Sequence, residues 1–310
     1  SLDLSNVTSH DAMAMVIVSL QSFAGMWINA FIVAVLCIAW VKKKSFNSNE
    51  KILLFLGCIR IGELCMEWVY AILSIFYPSC FFVDSIPQLV AAIRSFFSSS
   101  DLWISACLCV FYCIKIANFR YTFFFYLKVK IDRIVPWLLL SSLVLSLVMS
   151  ILSYDIADRA DLKILNSSTQ GNFWKLIVVK DGHYFPIFFS AGFIFTTAFT
   201  AVILSALLLL ISLWRHKHKM QTNSVKSLSV DAHIRAIKSV LSFLIIYSFN
   251  FIGFVLAMLY STNKGKISVF LILIFQHALP VFHSLLLIFS NPNLEKALLR
   301  TMPCLKCKGC

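Results

Sequence analysis

Residues 134–154 of this chain read IVPWLLLSSLVLSLVMSILSY, a stretch without a charged side chain. A helix needs about 20 consecutive apolar residues to cross the hydrocarbon core of a bilayer, so this run is long enough to span it. Six further apolar runs of at least similar length flank it, at residues 14–41, 51–77, 87–117, 184–214, 236–261 and 266–290. The runs are continuous rather than alternating, which favours helices over a barrel. The sequence therefore predicts an all-α membrane protein in which residues 1–310 form one bundle of seven transmembrane helices.

The composition agrees with this prediction. Hydrophobic residues make up 60% of the 310, charged residues only 13%, and the mean hydropathy is +0.86. A water-soluble domain cannot bury so much apolar surface. The net charge of +13 is of the kind that attracts nucleic acid. Its basic residues, however, cluster in the connectors between apolar runs, as membrane topology requires. We therefore expect membrane lipids as partners and no nucleic acid.

The basic residues also predict the orientation of the bundle. Of the 27 Lys and Arg residues, 19 lie towards one side of the predicted membrane and seven towards the other. Because cytoplasmic connectors carry the excess of Lys and Arg, we expect the N-terminus outside and the tail 291–310 inside. The basic connector 215–235 is then an inner loop and the polar connector 155–183 an outer loop. Both N-x-[ST] sequons, at Asn6 and Asn166, fall on the outer side and are predicted glycosylation sites.

The tail predicts a short helix followed by lipid attachment. Asn291 is suited to cap a helix and Pro292 to fill its first position, so we expect a short helix on the inner membrane surface. The chain then ends in CLKCKGC. Because a zinc site normally needs four ligands, three thiols predict S-acylation and no metal. These tail cysteines are Cys304, Cys307 and Cys310.

Charged side chains occur inside the second and third runs. They are Arg60, Glu63, Glu67, Arg94 and Asp101. Charges in lipid are costly, so these groups should face the bundle interior and find partners. Arg60 and Asp101 lie at comparable depth, and we predict a polar contact between them that extends to Ser284. For Arg60 and Glu63 we favour a structural role, in a network that holds the helices together. Glu67 and Arg94 lie nearer the outer end and are as well suited to bind a ligand as to serve a structural role.

Enzyme motifs are absent from the sequence. It contains no H-E-x-x-H, no G-x-S-x-G and no phosphate-binding loop. His277 and His283 in the last run are more typical of packed polar residues than of ligands. We therefore expect no catalytic residues and no cofactor.

Several segments carry a resemblance to a known family. The third run ends in W-x-x-A-C-L-x-V-F-Y-x-x-K-I-A-N-F, at residues 103–119. The other segments are SLWRHKHKMQ at 212–221, AHI at 232–234, SFL at 242–244, HSL at 283–285, Asn291 with Leu294, Asn29 and Arg60. Over residues 20–300 the chain resembles the bitter taste receptors, the taste receptor type 2 family. The resemblance implies a seven-helix G-protein-coupled receptor that detects small bitter-type chemicals at the plasma membrane.

The resemblance assigns residues to the cytoplasmic face. Tyr112 and Lys115 match the motif that this family carries where rhodopsin-like receptors have Asp-Arg-Tyr, which implies a place beside the G protein. A lysine near a helix end can equally serve as an anchor to the phosphate level of the bilayer. The remaining residues assigned to G-protein coupling are Arg215, His216, Lys219 and His233. The implied partner is a gustducin-like Gα of the Gi class with its Gβγ.

The resemblance also indicates an agonist pocket, and there this chain departs from the family. Arg94 replaces a common tryptophan, Ser98 and Ser99 an Asn-His pair, Asn250 a tyrosine, and Leu273 an acidic residue. The expected ligand-binding residues are Glu67, Arg94, Ser98, Tyr247, Asn250 and Gln276. The expected structural polar core is Asn29, Arg60, Asp101 and Ser284. A fixed positive charge at Arg94 favours acidic or hydrogen-bond-accepting agonists, unless Glu67 neutralises it.

Two other functions remain open. A type 1 vomeronasal receptor is related to this family, but the Tyr-x-x-Lys-Ile-Ala signature counts against it. A small ion- or proton-coupled transporter is a less favoured alternative, in which Arg60, Glu63 and Asp101 form a relay.

Overall fold

The computed structural model describes residues 9–77, 85–116, 122–166, 196–212, 237–249, 251–252 and 266–301. Within these ranges the chain forms eight helices and no strand. They are α1 (Ser9–Lys43), α2 (Ser48–Phe76), α3 (Ile86–Ile116), α4 (Thr122–Asn166), α5 (Thr196–Ser212), α6 (Ile237–Phe249), α7 (Lys266–Ser290) and α8 (Pro292–Thr301).

Most helices lie where the apolar runs predicted them, but α4 is longer. It has 45 residues, Thr122–Asn166, whereas the sequence predicted a span at 134–154 between two connectors. The added segments, TFFFYLKVKIDR and DIADRADLKILN, contain no glycine or proline. Glycine and proline are the residues that most disfavour a helix interior, so nothing local ends the helix. Asn166 is accordingly the last residue of α4 and not part of an extended loop.

Three of the described helices are long and apolar enough to cross a membrane. Their apolar spans are Met15–Lys43, Ile86–Lys115 and Phe125–Asp155. Helix α2 has 29 residues but carries Arg60, Glu63 and Glu67 in its apolar stretch. At 1.5 Å per residue, α4 is about 67 Å long, more than twice the roughly 30 Å of a bilayer core. Its two ends therefore extend beyond the hydrocarbon.

Helix α3 is the most enclosed of the three spans. Of its apolar span 61% is buried, against 22% for those of α1 and α4. It contributes to both hydrophobic clusters of the bundle. Leu102 and Ala106 pack in a cluster with α5, α6 and α7, and Ile104 and Leu108 pack in a second cluster with α1, α2, α4, α7 and α8. Side chains on α3 can therefore contact nearly every other helix.

The outer surfaces of α1 and α4 are apolar. Trp27 on α1 is 78% exposed and Trp137 on α4 is 69% exposed. A soluble protein rarely leaves such a large apolar surface open to water. Here these surfaces have the composition of a face that contacts lipid.

A glycine allows α2 to pack closely against α3. A Cβ atom added at Gly62 would lie 2.3 Å from Cε1 of Phe97 on α3, closer than real Cβ contacts. Any side chain at this position would push the Phe97 ring aside. Gly62 therefore keeps α2, with the neighbouring Glu63, against the middle of α3.

The short helix α8 follows α7 directly, as the sequence predicted. The side-chain oxygen of Asn291 accepts a hydrogen bond from the backbone N–H of Asn293 at 3.0 Å, which is the geometry of an N-cap. Leu294 is fully buried in the cluster that contains α1 and α2. These contacts hold α8 against the end of the bundle where α1 ends and α2 begins.

Candidate functional site

A buried arginine connects α2 with α3 and α7. Arg60 is 1% exposed. Its Nε donates a hydrogen bond to Oδ1 of Asp101 at 2.6 Å, and its Nη1 donates one to Oγ of Ser284 at 2.8 Å. The polar contact that the sequence predicted among these three residues is present.

Further hydrogen bonds extend this contact to α1 and α6. Nη2 of Arg60 donates to Nδ1 of His283 and, at 3.4 Å, to Oγ of Ser105. The hydroxyl of Tyr247 donates to Oδ2 of Asp101, and the hydroxyl of Ser284 donates to Oδ1 of Asn29 at 3.0 Å. We call this set the central polar network: Asn29, Arg60, Asp101, Ser105, Tyr247, His283 and Ser284. It joins α1, α2, α3, α6 and α7.

The central polar network has the pairing that buried charges require. Both carboxylate oxygens of Asp101 accept a hydrogen bond, and every nitrogen of the Arg60 guanidinium donates at least one. Leaving one partner of such a pair without the other costs about 3–5 kcal/mol. A change in helix packing that separates Arg60 from Asp101 would therefore need compensation from elsewhere.

A cavity of about 20 Å³ lies against the central polar network. Its walls come from α2, α3, α6 and α7, and they are Glu63, Ser98, Asp101, Leu102, Ile246, Tyr247, Leu279, Pro280 and His283. A cavity of this size holds about one water molecule. Because Asp101, Tyr247 and His283 belong both to the wall and to the central polar network, a group that enters the cavity contacts the network directly.

Glu63 is the acidic residue in the α2 wall of this cavity. Its carboxyl group is hydrogen-bonded to the side chain of Ser98 on α3. The oxygen Oε2 is buried and has no hydrogen-bond partner among the described residues. Buried polar atoms nearly always have a partner, so an exception marks a place where a further group can bind.

Arg94 and Glu67 form an ion pair on the neighbouring turns. Nε and Nη2 of Arg94 donate to the two carboxylate oxygens of Glu67, each at 2.9 Å. The guanidinium carbon lies 4.0 Å from the centre of the Tyr70 ring. Glu67 therefore neutralises the charge of Arg94. The expectation of acidic agonists required an Arg94 without a counter-charge, so it does not hold. Neither residue lines the cavity described above.

Comparison with known proteins places the chain in a family. The family model described as "Taste receptor protein (TAS2R)" matches residues 7–306. The chain belongs to the taste receptor type 2 family. It is 30% identical to "Taste receptor type 2 member 9" of Homo sapiens over 96% of this chain and 95% of that protein. It is 29% identical to "Taste receptor type 2 member 7" of Macaca mulatta over 88% and 87%, and 28% identical to "Taste receptor type 2 member 2" of Homo sapiens over 94% and 96%. The family consists of membrane receptors and not of enzymes.

At the α8 end of this taste receptor, the two residues assigned to coupling lie on α3. The Tyr112 hydroxyl is hydrogen-bonded to Asn49 near the start of α2. Nζ of Lys115 lies 3.2 Å from Oδ1 of Asp132 on α4. Both partners of this second contact are about half exposed, so the pair contributes at most about 1 kcal/mol to stability.

Several predicted site residues of the receptor lie outside the described residues. They are Asn250, the side chain of Gln276, Arg215, His216, Lys219, His233, Asn6, the side chain of Asn166 and the tail cysteines. Of the six predicted ligand-binding residues, the structure brings Ser98 and Tyr247 together in the cavity wall.

Of the nine residues in the cavity wall, sequence reasoning assigned only Ser98 and Tyr247 to ligand binding, and Glu63 and His283 are among the polar residues that it assigned elsewhere. Glu63 was assigned to a structural network and His283 to helix packing, yet both line the cavity. One signal was available for His283, which directly precedes the network residue Ser284 in the HSL segment. For Glu63, the sequence shows that three carboxylates accompany two arginines inside the apolar runs 51–77 and 87–117, but it does not show which carboxylate remains unpaired.

Proposed function

We propose that this taste receptor is a seven-helix G-protein-coupled receptor of the plasma membrane that detects small bitter-type molecules. Its N-terminus lies outside and its C-terminus inside, and it activates a gustducin-like Gα of the Gi class with its Gβγ. One observation carries the proposal. The cavity between α2, α3, α6 and α7 shares Asp101, Tyr247 and His283 with the central polar network. A ligand at this place contacts the groups that join five helices.

The activating step is a shift between two arrangements of the helices. A ligand changes this equilibrium only by its difference in affinity for the two arrangements. A polar group in the cavity competes for Asp101 or for the Tyr247 hydroxyl, and so weakens the link from α6 to α3. Release of α6 favours an arrangement that is open at the cytoplasmic side. Coupling free energies of this kind are about 1–3 kcal/mol, comparable with one charge-assisted hydrogen bond.

Further residues belong to the proposed pocket. Ser98 and Tyr247 form its floor, and we assign Glu67, Arg94, Asn250 and Gln276 to its outer part. A few polar groups in a largely apolar cavity are typical of small-molecule sites. Since Arg94 is paired with Glu67, we assign this pair to the shape of the pocket rather than to the capture of an anion.

The cytoplasmic surface proposed for the G protein lies at the α8 end of the bundle. It comprises Tyr112 and Lys115 on α3, together with Arg215, His216, Lys219 and His233. The exposed Lys115–Asp132 contact supports this proposal, because a weak pair between α3 and α4 is easily exchanged for contacts with a partner. Asn166, with Asn6 as a secondary site, is the proposed glycan attachment on the other side, and the tail cysteines are the proposed acylation sites.

A calcium assay tests the proposed function. Cells that express the receptor with a chimeric Gα linking it to phospholipase C are exposed to a panel of bitter compounds. We expect at least one compound to give a dose-dependent calcium response that is absent from cells lacking either the receptor or the chimeric Gα. A transporter that uses Arg60, Glu63 and Asp101 as a relay would move its substrate without any Gα. Compound uptake or an ion current that is independent of the Gα, with no calcium response, would overturn the proposal.

A further inference from the structure

The buried charges of α2 and α3 do not balance. Besides Glu50 at the start of α2, which pairs with Lys43, these helices contribute two arginines and three carboxylates to the inside of the bundle. Arg60 pairs with Asp101, and Arg94 pairs with Glu67. The carboxylate that remains is Glu63, which forms no ion pair with any described residue. The carboxyl group of Glu63 is therefore the acidic group of this set that has no cation beside it.

The unbalanced carboxylate faces the cavity. Glu63 lines it from α2, and the oxygen Oε2 is buried without a hydrogen-bond partner among the described residues. On the opposite wall, Tyr247 directs its hydroxyl hydrogen to Asp101, so it does not donate to Glu63. The nearest arginine, Arg60, uses its donors on Asp101, Ser105, His283 and Ser284. The buried Oε2 of Glu63 is thus an acceptor for which no described residue supplies a donor.

The size of the cavity limits what can fill this place. About 20 Å³ accommodates one heavy atom with its hydrogens, as for a water molecule. A primary ammonium group has this size, and it supplies both a positive charge and N–H donors. A carboxylate, a sulfonate or an aromatic ring is too large and has no charge that Glu63 would attract.

We propose that Glu63 is the anchor for the primary ammonium group of amine agonists, at the floor of the pocket. This assignment rests on the proposed receptor function, and it names the chemical class that the pocket selects. Because Glu67 already neutralises Arg94 and Asp101 pairs with Arg60, neither arginine is left to attract an anion, and Glu63 makes the receptor prefer cationic over anionic agonists. Each methyl group added to the nitrogen exceeds the available space, so quaternary ammonium analogues bind less well than primary amines.

The test uses matched compounds in the calcium assay with the full-length receptor. The compounds are arylalkyl primary amines, such as 2-phenylethylamine, the alcohols of the same skeleton, such as 2-phenylethanol, and the trimethylammonium analogues. On the wild-type receptor we expect the amines to be the most potent of each set. In Glu63→Gln, which keeps the shape and removes the charge, we expect the amines to lose about tenfold to a hundredfold in potency. The alcohols should change by less than about threefold.

Two further variants make the test specific. Glu63→Asp keeps the charge but moves it back by one methylene, so it should retain part of the preference for amines. Glu295→Gln makes the same chemical change on α8, outside the bundle, and should leave every compound unaffected. Surface staining of each variant and its response to the alcohols show whether it has folded.

The outcomes separate this proposal from the proposed function. If the wild-type receptor responds to neutral bitter compounds but to no primary amine, the assignment of Glu63 is wrong while the receptor function stands. The same conclusion follows if Glu63→Gln lowers the potency of amines and of alcohols by the same factor. If no compound of any class produces a response that depends on the Gα, the proposed function itself has failed.

Discussion

The central polar network should lose much of its stabilising effect when Asp101 is neutralised. Asp101→Asn keeps the size of the side chain and removes the charge that pairs with Arg60 at 2.6 Å. Arg60 is 1% exposed, so its charge would remain buried without a counter-charge. We expect the free energy of unfolding to fall by about 3–5 kcal/mol. Folded proteins are stable by only about 5–15 kcal/mol, so the variant should unfold at a clearly lower temperature and reach the cell surface poorly.

The measurements are surface staining of an N-terminal epitope and thermal unfolding of the purified receptor in detergent. Ser105→Ala is the matched control, because it removes a longer contact to the same guanidinium, at 3.4 Å, and leaves the ion pair intact. It should cost no more than about 1.5 kcal/mol. Arg60→Ala should reduce surface expression as Asp101→Asn does.

A double replacement separates the pair from the rest of the network. Arg60→Leu with Asp101→Leu leaves no unpaired charge, and exchange of a buried ion pair for apolar side chains is often neutral. The double variant should therefore be more stable than either single variant. The reasoning is refuted if Asp101→Asn is no less stable than Ser105→Ala, or if the losses of the two leucine variants simply add.

Three further predictions concern the outer turns, the glycan and the tail. Arg94→Leu or Glu67→Leu alone should lower the free energy of unfolding by about 1–3 kcal/mol, because each leaves a partly buried charge unpaired. The double variant should recover most of this loss. A double variant with unfolding temperature below both single variants would contradict the pairing. Asn166→Gln should increase gel mobility and remove most glycosidase sensitivity, and unchanged migration would show that the main glycan lies elsewhere. Replacement of the tail cysteines by serine should abolish metabolic palmitate labelling, and equal label in the variant and the wild-type receptor would overturn the acylation sites.

The apolar runs and their ends were readable from the sequence because they depend on local composition. Helix α7 occupies the predicted range 266–290, and α8 begins after the predicted cap, Asn291. The bounds of α4 were not readable, since the predicted span followed hydropathy alone. The segments on both sides of 134–154 contain no glycine or proline and continue the same helix. Hydropathy locates the bilayer, whereas backbone hydrogen bonds determine where a helix ends.

The sequence by itself determined that charged side chains had to pair inside the bundle, because lipid cannot solvate them. It indicated the contact of Arg60 with Asp101 from their depth alone. Only the tertiary structure decided that Glu67 neutralises Arg94, that Tyr247 donates to Asp101, and that Glu63 keeps a buried oxygen without a partner. The physical reason is geometric: the 3.6-residue period shows which residues share one face of a helix, but the rotation of each helix against its neighbours selects the partner.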